Sequence, residues 1–320
     1  MKIDKSKTSS IRKAFGKTLA EIGELNEKIV VMDADLACST QTKIFADKFP
    51  DRFFDCGIAE QNMLATAAGL ASEGKIPFVA SFAVFVTGRT YDQIRNGICY
   101  PNFNVKIVGT HGGVTVGEDG ATHQALEDIS LMRGLPHMTV IVPADCKECQ
   151  EAIKYAALHE GPTYIRIPRS NVPDIFDENY SFNIQKAVVV EEGTDASVFT
   201  NGETLAEVLL AAEELKKENI NLEVINVPVV KPLDSQTVIE SVKKTKLAIT
   251  VENHSIIGGL GSAICETLSD KLPSKVYRIG VNNEFGQSGT AEELIEHYGL
   301  DSKTLATKIK TMINKEKEQD

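Results

Sequence analysis

Three polar stretches carry the chemistry that this sequence offers. Residues 111–124 read HGGVTVGEDGATHQ, placing His111, His123, Glu118, Asp119 and four glycines in one segment. Packing alone rarely gathers imidazoles with carboxylates, whereas catalysis and metal binding both do. Metal is the weaker reading, since the residues lack helical i, i+4 ligand spacing. Residues 55–63 read DCGIAEQNM, and Glu60 opens a run of small and apolar residues that would strip water from its carboxylate. A carboxylate so placed either has its pKa raised or finds a hydrogen-bond donor. A first-turn acid that only complements the helix dipole explains Glu60 equally well on this stretch alone. Residues 81–86 read SFAVFV, with Phe82 and Phe85 following an apolar run in a chain that is 6% aromatic. Core packing is the default for such a pair.

Other candidates are weaker. The six cysteines are scattered through a long chain, which favours reduced, packed thiols. Cys146-Lys147-Glu148-Cys149 resembles a redox or metal pair but has no second Cys or His pair at zinc spacing. Glycines 258, 259 and 261 lack the downstream acid of a dinucleotide fingerprint, so a glycine turn entering a helix is favoured. A net charge of −11 with no basic block argues against nucleic acid. No apolar run is long enough to predict a membrane span. The opening MKIDKSKTSSIRKAF lacks the apolar core of a secretory signal, and the cytoplasm is the expected location.

The elements that must position these residues alternate. Ile11, Phe15, Leu19 and Ile22 recur at helical spacing, and the apolar runs 29–32, 78–80, 105–108, 139–142 and 164–167 predict strands. Helices are predicted at about 59–71, 87–98 and 147–158. Alternation of this kind means a parallel sheet covered by helices on both faces, with ligands expected where the strands end. A polar stretch with two prolines between 168 and 185 marks a boundary. A second unit follows, with strands at 187–190, 196–199, 222–227, 248–251 and 276–279, and helices at 205–217 and the C-terminus. The expectation is an α/β fold of two domains, 1–172 and 187–320, joined by a linker at 173–186, each a mainly parallel sheet flanked by helices.

GEDGATHQ, with GIAEQNM and FAVF in this order and spacing, resembles the pyrimidine-binding domain of transketolases, and the later FGQSG at 285–289 resembles their C-terminal domain. The resemblance covers nearly the whole chain, and GEDGATHQ is its specific part. It implies thiamine diphosphate as cofactor and transfer of a two-carbon ketol unit from a ketose phosphate to an aldose phosphate. Glu60 would hydrogen-bond the pyrimidine ring and share the proton that activates the cofactor. Phe82 and Phe85 would pack on that ring, adding roughly 0.5–1.5 kcal/mol beyond burial. Asp35 would lie near the thiazolium. His111 and His123 would contact the donor sugar, with imidazole able to serve neutral or protonated near pH 7. Asp119 would read a donor hydroxyl, and Arg12, Ser39 and Arg169 would grip the sugar phosphate. Without the resemblance, Arg12 and Arg169 read best as surface ion-pair residues.

Thiamine enzymes hold the diphosphate through a metal bound by a Gly-Asp-Gly motif and a later asparagine. No Gly-Asp-Gly occurs here, and the window after GEDG holds Lys147. The resemblance therefore implies an N-terminal transketolase subunit that carries the diphosphate and its Mg or Ca, with none held by this chain, in a heterotetramer of two plus two. Two departures bear on substrate. Ala59 stands where transketolases often carry arginine, as in deoxyxylulose phosphate synthase, and Gly88 replaces a further aromatic residue. Rival readings are that synthase, the beta subunit of a 2-oxoacid dehydrogenase, and a non-catalytic homologue that only binds a partner.

Overall fold

A computed structural model describes residues 3, 4 and 6–318. The strands are β1 (Thr8–Ser9), β2 (Ile29–Asp33), β3 (Phe53–Asp55), β4 (Ile76–Phe82), β5 (Lys106–Thr110), β6 (Thr139–Ile141) and β7 (Thr163–Arg166), followed by β8 (Val172–Pro173), β9 (Val188–Glu191), β10 (Ala196–Thr200), β11 (Leu222–Asn226), β12 (Val229–Lys231), β13 (Ala248–Ser255) and β14 (Val276–Val281). The first large sheet runs β12-β6-β7-β5-β4-β2-β3, parallel except for β12. The second runs β14-β13-β10-β11-β9, parallel except for β9. Every residue of β2, β4 and β5 is buried, as expected of parallel strands covered on both faces. The molecule is thus two α/β domains with mainly parallel sheets.

Around the first sheet lie α1 (Ile11–Leu25), α2 (Ala37–Thr40), α3 (Lys43–Lys48), α4 (Glu60–Ser72), α5 (Asp128–Arg133) and α6 (Cys146–Leu158). The second carries α7 (Thr204–Lys216), α8 (Ser235–Thr245), α9 (Leu260–Lys271), α10 (Ala291–His297) and α11 (Ser302–Lys317). Ser10 caps α1 by accepting from the Lys13 N–H. The face of that helix carrying Ile11, Phe15, Leu19 and Ile22 is buried, each side chain contributing roughly 1.5–3 kcal/mol.

Two features depart from the sequence expectation. The helix expected over 87–98 is instead two π-helical turns, Phe85–Arg89 and Gln93–Cys99. Thr87 and Thr90 donate their hydroxyls back to the Ala83 and Val86 carbonyls, and Gly88 and Gly97 weaken regular helix. β12, from within 187–320, crosses over to close one edge of the first sheet antiparallel to β6. Three residues are too few to show a period, so only the assembled sheet reveals it.

The segment between the units is pinned. Asp145, at the start of α6, accepts from the Glu148, Ile175 and Phe176 N–H groups. Glu148 accepts from Tyr180, from Asn226 at 2.9 Å and from the Ala144 N–H. Desolvation pushes Glu148 up to about 7, although its three donors act the other way.

Candidate active site

The candidate polar residues other than Arg12 follow the carboxyl ends of β2, β3, β5 and β7, and Phe82 and Phe85 mark the end of β4, where open parallel sheets bind ligands. β2 ends in Asp33, which is buried and accepts from Thr40, Thr42 and the Leu36 N–H. Burial raises its pKa against those three donors. This fixes the turn that carries Asp35 and Ser39. Asp35 is exposed, with φ of 62°, and donates its N–H to the Asp55 carboxylate.

Glu60 is the first residue of α4 and only 2% exposed. Its partner is a residue that sequence reasoning missed: Arg89 donates from Nη1 to Glu60 Oε2 at 2.7 Å and lies 4.6 Å from the Phe85 ring centre. Arg89 went unseen because the contact spans 29 residues and depends on the π turn. Phe82 and Phe85 stack at 5.9 Å rather than serving only as core, and Phe85 is partly exposed.

His111 stacks on Phe82 at 3.8 Å, and His123 meets Phe85 edge-on at 5.3 Å. Each imidazole Nδ1 sits 2.9 Å from the hydroxyl of the threonine before it, Thr110 or Thr122. Burial, then the positive charges of Arg12 and Arg169 and the neighbouring His123, lower the His111 pKa to about 3. That shift favours the neutral imidazole at His111. Arg12 donates to the Ser39 and Arg169 carbonyls at 2.7 and 3.0 Å, so these three residues are brought together. Arg169 also reaches the Val116 carbonyl and Glu118. Asp119 is exposed at the tip of the 3₁₀ turn Val114–Asp119.

Residues from α5, β7, β13 and the turn before α7 hold the histidine segment, and none of them stands out in the sequence. Asn253 accepts from the Val114 N–H and donates to Glu203, which also accepts from Thr115. Gly113, at φ of 81°, lies against Asn253 where any Cβ would collide. Arg166, buried under Gly112, pairs with Asp128 at 2.9 Å and donates to the Ala125 and Asn253 carbonyls. Desolvation lowers the Arg166 pKa, but the charges of Asp128 and Glu203, the Tyr164 phenol and the hydrogen bond to Asp128 together outweigh it, and the net shift is upward.

The remaining motifs resolve locally. Cys149 is buried on α6, and desolvation, then Asp174 and Asp145, push Cys146 up to about 12. Gly259 precedes α9, whose first N–H groups, at Leu260 and Gly261, are taken by Glu252. Among the described residues no group of three or more His, Cys, Asp or Glu could hold a metal ion, and no helix is long and apolar enough to cross a membrane.

Fold and site define an α/β domain that gathers polar and aromatic side chains where its strands end, hydrogen-bonded to a second, smaller α/β domain. Residues 7–174 match the pyrimidine-binding domain of transketolase, and residues 185–305 match the transketolase C-terminal domain. A putative transketolase C-terminal section of Methanocaldococcus jannaschii is 47% identical over 96% of this chain and 97% of its own length. A 6-deoxy-6-sulfo-D-fructose transketolase subunit of Clostridium sp. is 41% identical over 92% of each chain. A solved split-gene transketolase, described as an inactive β4 tetramer, superimposes with a TM-score of 0.87 at 44% identity, covering 95% of this chain and 98% of that one. The chain belongs to the transketolase family, as its C-terminal section, and that family implies thiamine diphosphate.

The residues fit the pyrimidine end of that cofactor. A buried carboxyl beside a stacked aromatic pair suits a flat heterocycle with an in-plane nitrogen. The Arg89 guanidinium, also flat and also an in-plane donor, contacts both Glu60 and Phe85.

Proposed function

We propose that the chain is the C-terminal subunit of a two-chain transketolase that moves a two-carbon ketol unit from a ketose phosphate to an aldose phosphate. Thiamine diphosphate, when bound, supplies the carbon centre that carries the two-carbon unit. Glu60 would hydrogen-bond the pyrimidine and share a proton with its ring nitrogen, and Phe82 and Phe85 would orient the ring and exclude water. The neutral His111 hydrogen-bonds the donor sugar, while His123 holds or moves a proton at a donor oxygen. Asp119 would read a donor hydroxyl, Asp35 would lie toward the thiazolium, and Arg12, Ser39 and Arg169 would grip the sugar phosphate, the arginines through forked, charge-assisted contacts. The diphosphate and its Mg or Ca fall to an N-terminal subunit, in an assembly of two plus two, within the cytoplasmic pentose phosphate route. The observation that carries this reading is the buried carboxyl of Glu60, joined through Arg89 to the Phe82–Phe85 stack, with both histidines on the same rings.

The test is reconstitution with the N-terminal subunit, followed by assays of ketol transfer and of pyruvate consumption. Thiamine-dependent transfer between sugar phosphates, with neither subunit active alone, is the expected result. Pyruvate decarboxylation or pyruvate-dependent condensation in its place overturns the substrate assignment. Tight binding of thiamine diphosphate and Mg by the single chain overturns the division of labour.

A further inference from the structure

Arg89 is the one cation touching Glu60 among the described residues, and it touches Phe85 as well. Its Nη1 lies 2.7 Å from Glu60 Oε2, and its guanidinium carbon lies 4.6 Å from the Phe85 ring centre. The two groups proposed to hold the aminopyrimidine are thus held by one flat, nitrogen-bearing side chain. A guanidinium presents in-plane N–H donors and a face that stacks on aromatic rings, which is the recognition chemistry of an amino-substituted heterocycle. One carboxylate oxygen and one ring face cannot serve both at once.

The surroundings allow exchange. The Arg89 side chain is 45% exposed, whereas that of Glu60 is 2% exposed, so the cation can leave toward water while the carboxyl stays in place. Arg89 follows Gly88, whose Cβ position meets nothing within 4 Å, and it ends a π turn rather than a regular helix. The Arg89 carbonyl accepts from Gln61 at 3.2 Å, which fixes the backbone and leaves the side chain as the moving part.

We infer that Arg89 is a displaceable placeholder in the aminopyrimidine subsite: it keeps Glu60 partnered until thiamine diphosphate displaces it, and so weakens cofactor binding. This rests on the function proposed above. A contact that must break before a ligand enters lowers apparent affinity by the fraction of molecules in which the subsite is open. With about one molecule in ten open, removing the side chain tightens binding about tenfold.

The experiment is calorimetric titration of thiamine diphosphate with Mg into the reconstituted two-subunit complex, comparing wild type, Arg89→Ala and Arg89→Lys. Arg89→Ala is expected to bind about tenfold more tightly, and Arg89→Lys to fall between, because an ammonium keeps the charge without the flat stacking face. General damage to the site loosens binding instead, so unchanged or weaker binding by Arg89→Ala overturns the inference. As a second measure, a double-mutant cycle of Glu60→Gln and Arg89→Ala on the melting of the isolated chain is expected to be non-additive. Strict additivity overturns the inference whatever the calorimetry shows. A wild-type complex that binds no thiamine diphosphate overturns the parent function and the inference with it, an outcome distinct from the other two.

Discussion

Replacing Asp128 with alanine tests whether the histidine segment is held by a buried charge pair. Asp128 Oδ2 accepts from Tyr164 Oη at 2.6 Å and from Arg166 Nε at 2.9 Å, with the Asp128 side chain fully buried and that of Arg166 6% exposed. Two charge-assisted bonds at about 1.5–3 kcal/mol each would cost about 3–6 kcal/mol. Removing one partner of a buried ion pair independently costs about 3–5 kcal/mol, because the remaining charge is stranded. The two routes agree on about 4 kcal/mol. Arg166 keeps its bonds to the Ala125 and Asn253 carbonyls, which holds the loss toward the lower end. Asp128→Asn retains one acceptor and should lose roughly half as much. Urea unfolding followed by circular dichroism reads this as a lower midpoint with unchanged slope. A loss below about 1 kcal/mol for Asp128→Ala would refute the reasoning, since that is the scale of an exposed pair.

Three further outcomes follow from the geometry. Glu60→Gln should lower ketol transfer by about 10²–10⁴ in the reconstituted complex while leaving subunit association intact, and a loss under tenfold would remove Glu60 from the chemistry. Glu148, ordinarily near 4.5 but pushed to about 7 by burial, holds its proton in the folded state where the unfolded chain releases it. Its contribution is full below about pH 4.5 and is lost as pH rises through 7, on the order of 3 kcal/mol. Glu148→Gln should flatten that decline between pH 4.5 and 7 in thermal melts, and an unchanged slope would contradict the assignment. Iodoacetamide near pH 8 should modify the exposed Cys38 well before Cys146 or the buried Cys149, as mass spectrometry of peptides would show; early labelling of Cys149 would contradict its burial.

The α/β alternation was legible because the buried strands are continuous apolar runs, as in Ile29–Met32 and Thr139–Val142, bounded by turn residues. Glu60, Phe82, Phe85, His111 and His123 were legible because their residue types are out of place: acids, rings and imidazoles where strands end. The resemblance carried by GEDGATHQ then gave them roles that spacing alone left open. Arg12, Ser39 and Arg169 were named from the same resemblance, and the tertiary structure adds that one guanidinium joins the other two through their backbone carbonyls.

Tertiary structure alone decided what surrounds those residues. Arg89 reaches Glu60 from the end of a π turn, across 29 residues of sequence, and no sequence pattern reveals that contact. The His111 pKa is lowered because burial and two arginines, 99 and 58 residues away in sequence, meet at one point. Asn253, Glu203 and Asp128 look like ordinary polar residues until β13, α5 and the turn before α7 converge on the histidine segment. Sequence fixes which groups a strand end presents, because period and polarity are local. Which charge faces which is a matter of a few ångströms between distant segments, and only the packed chain sets that.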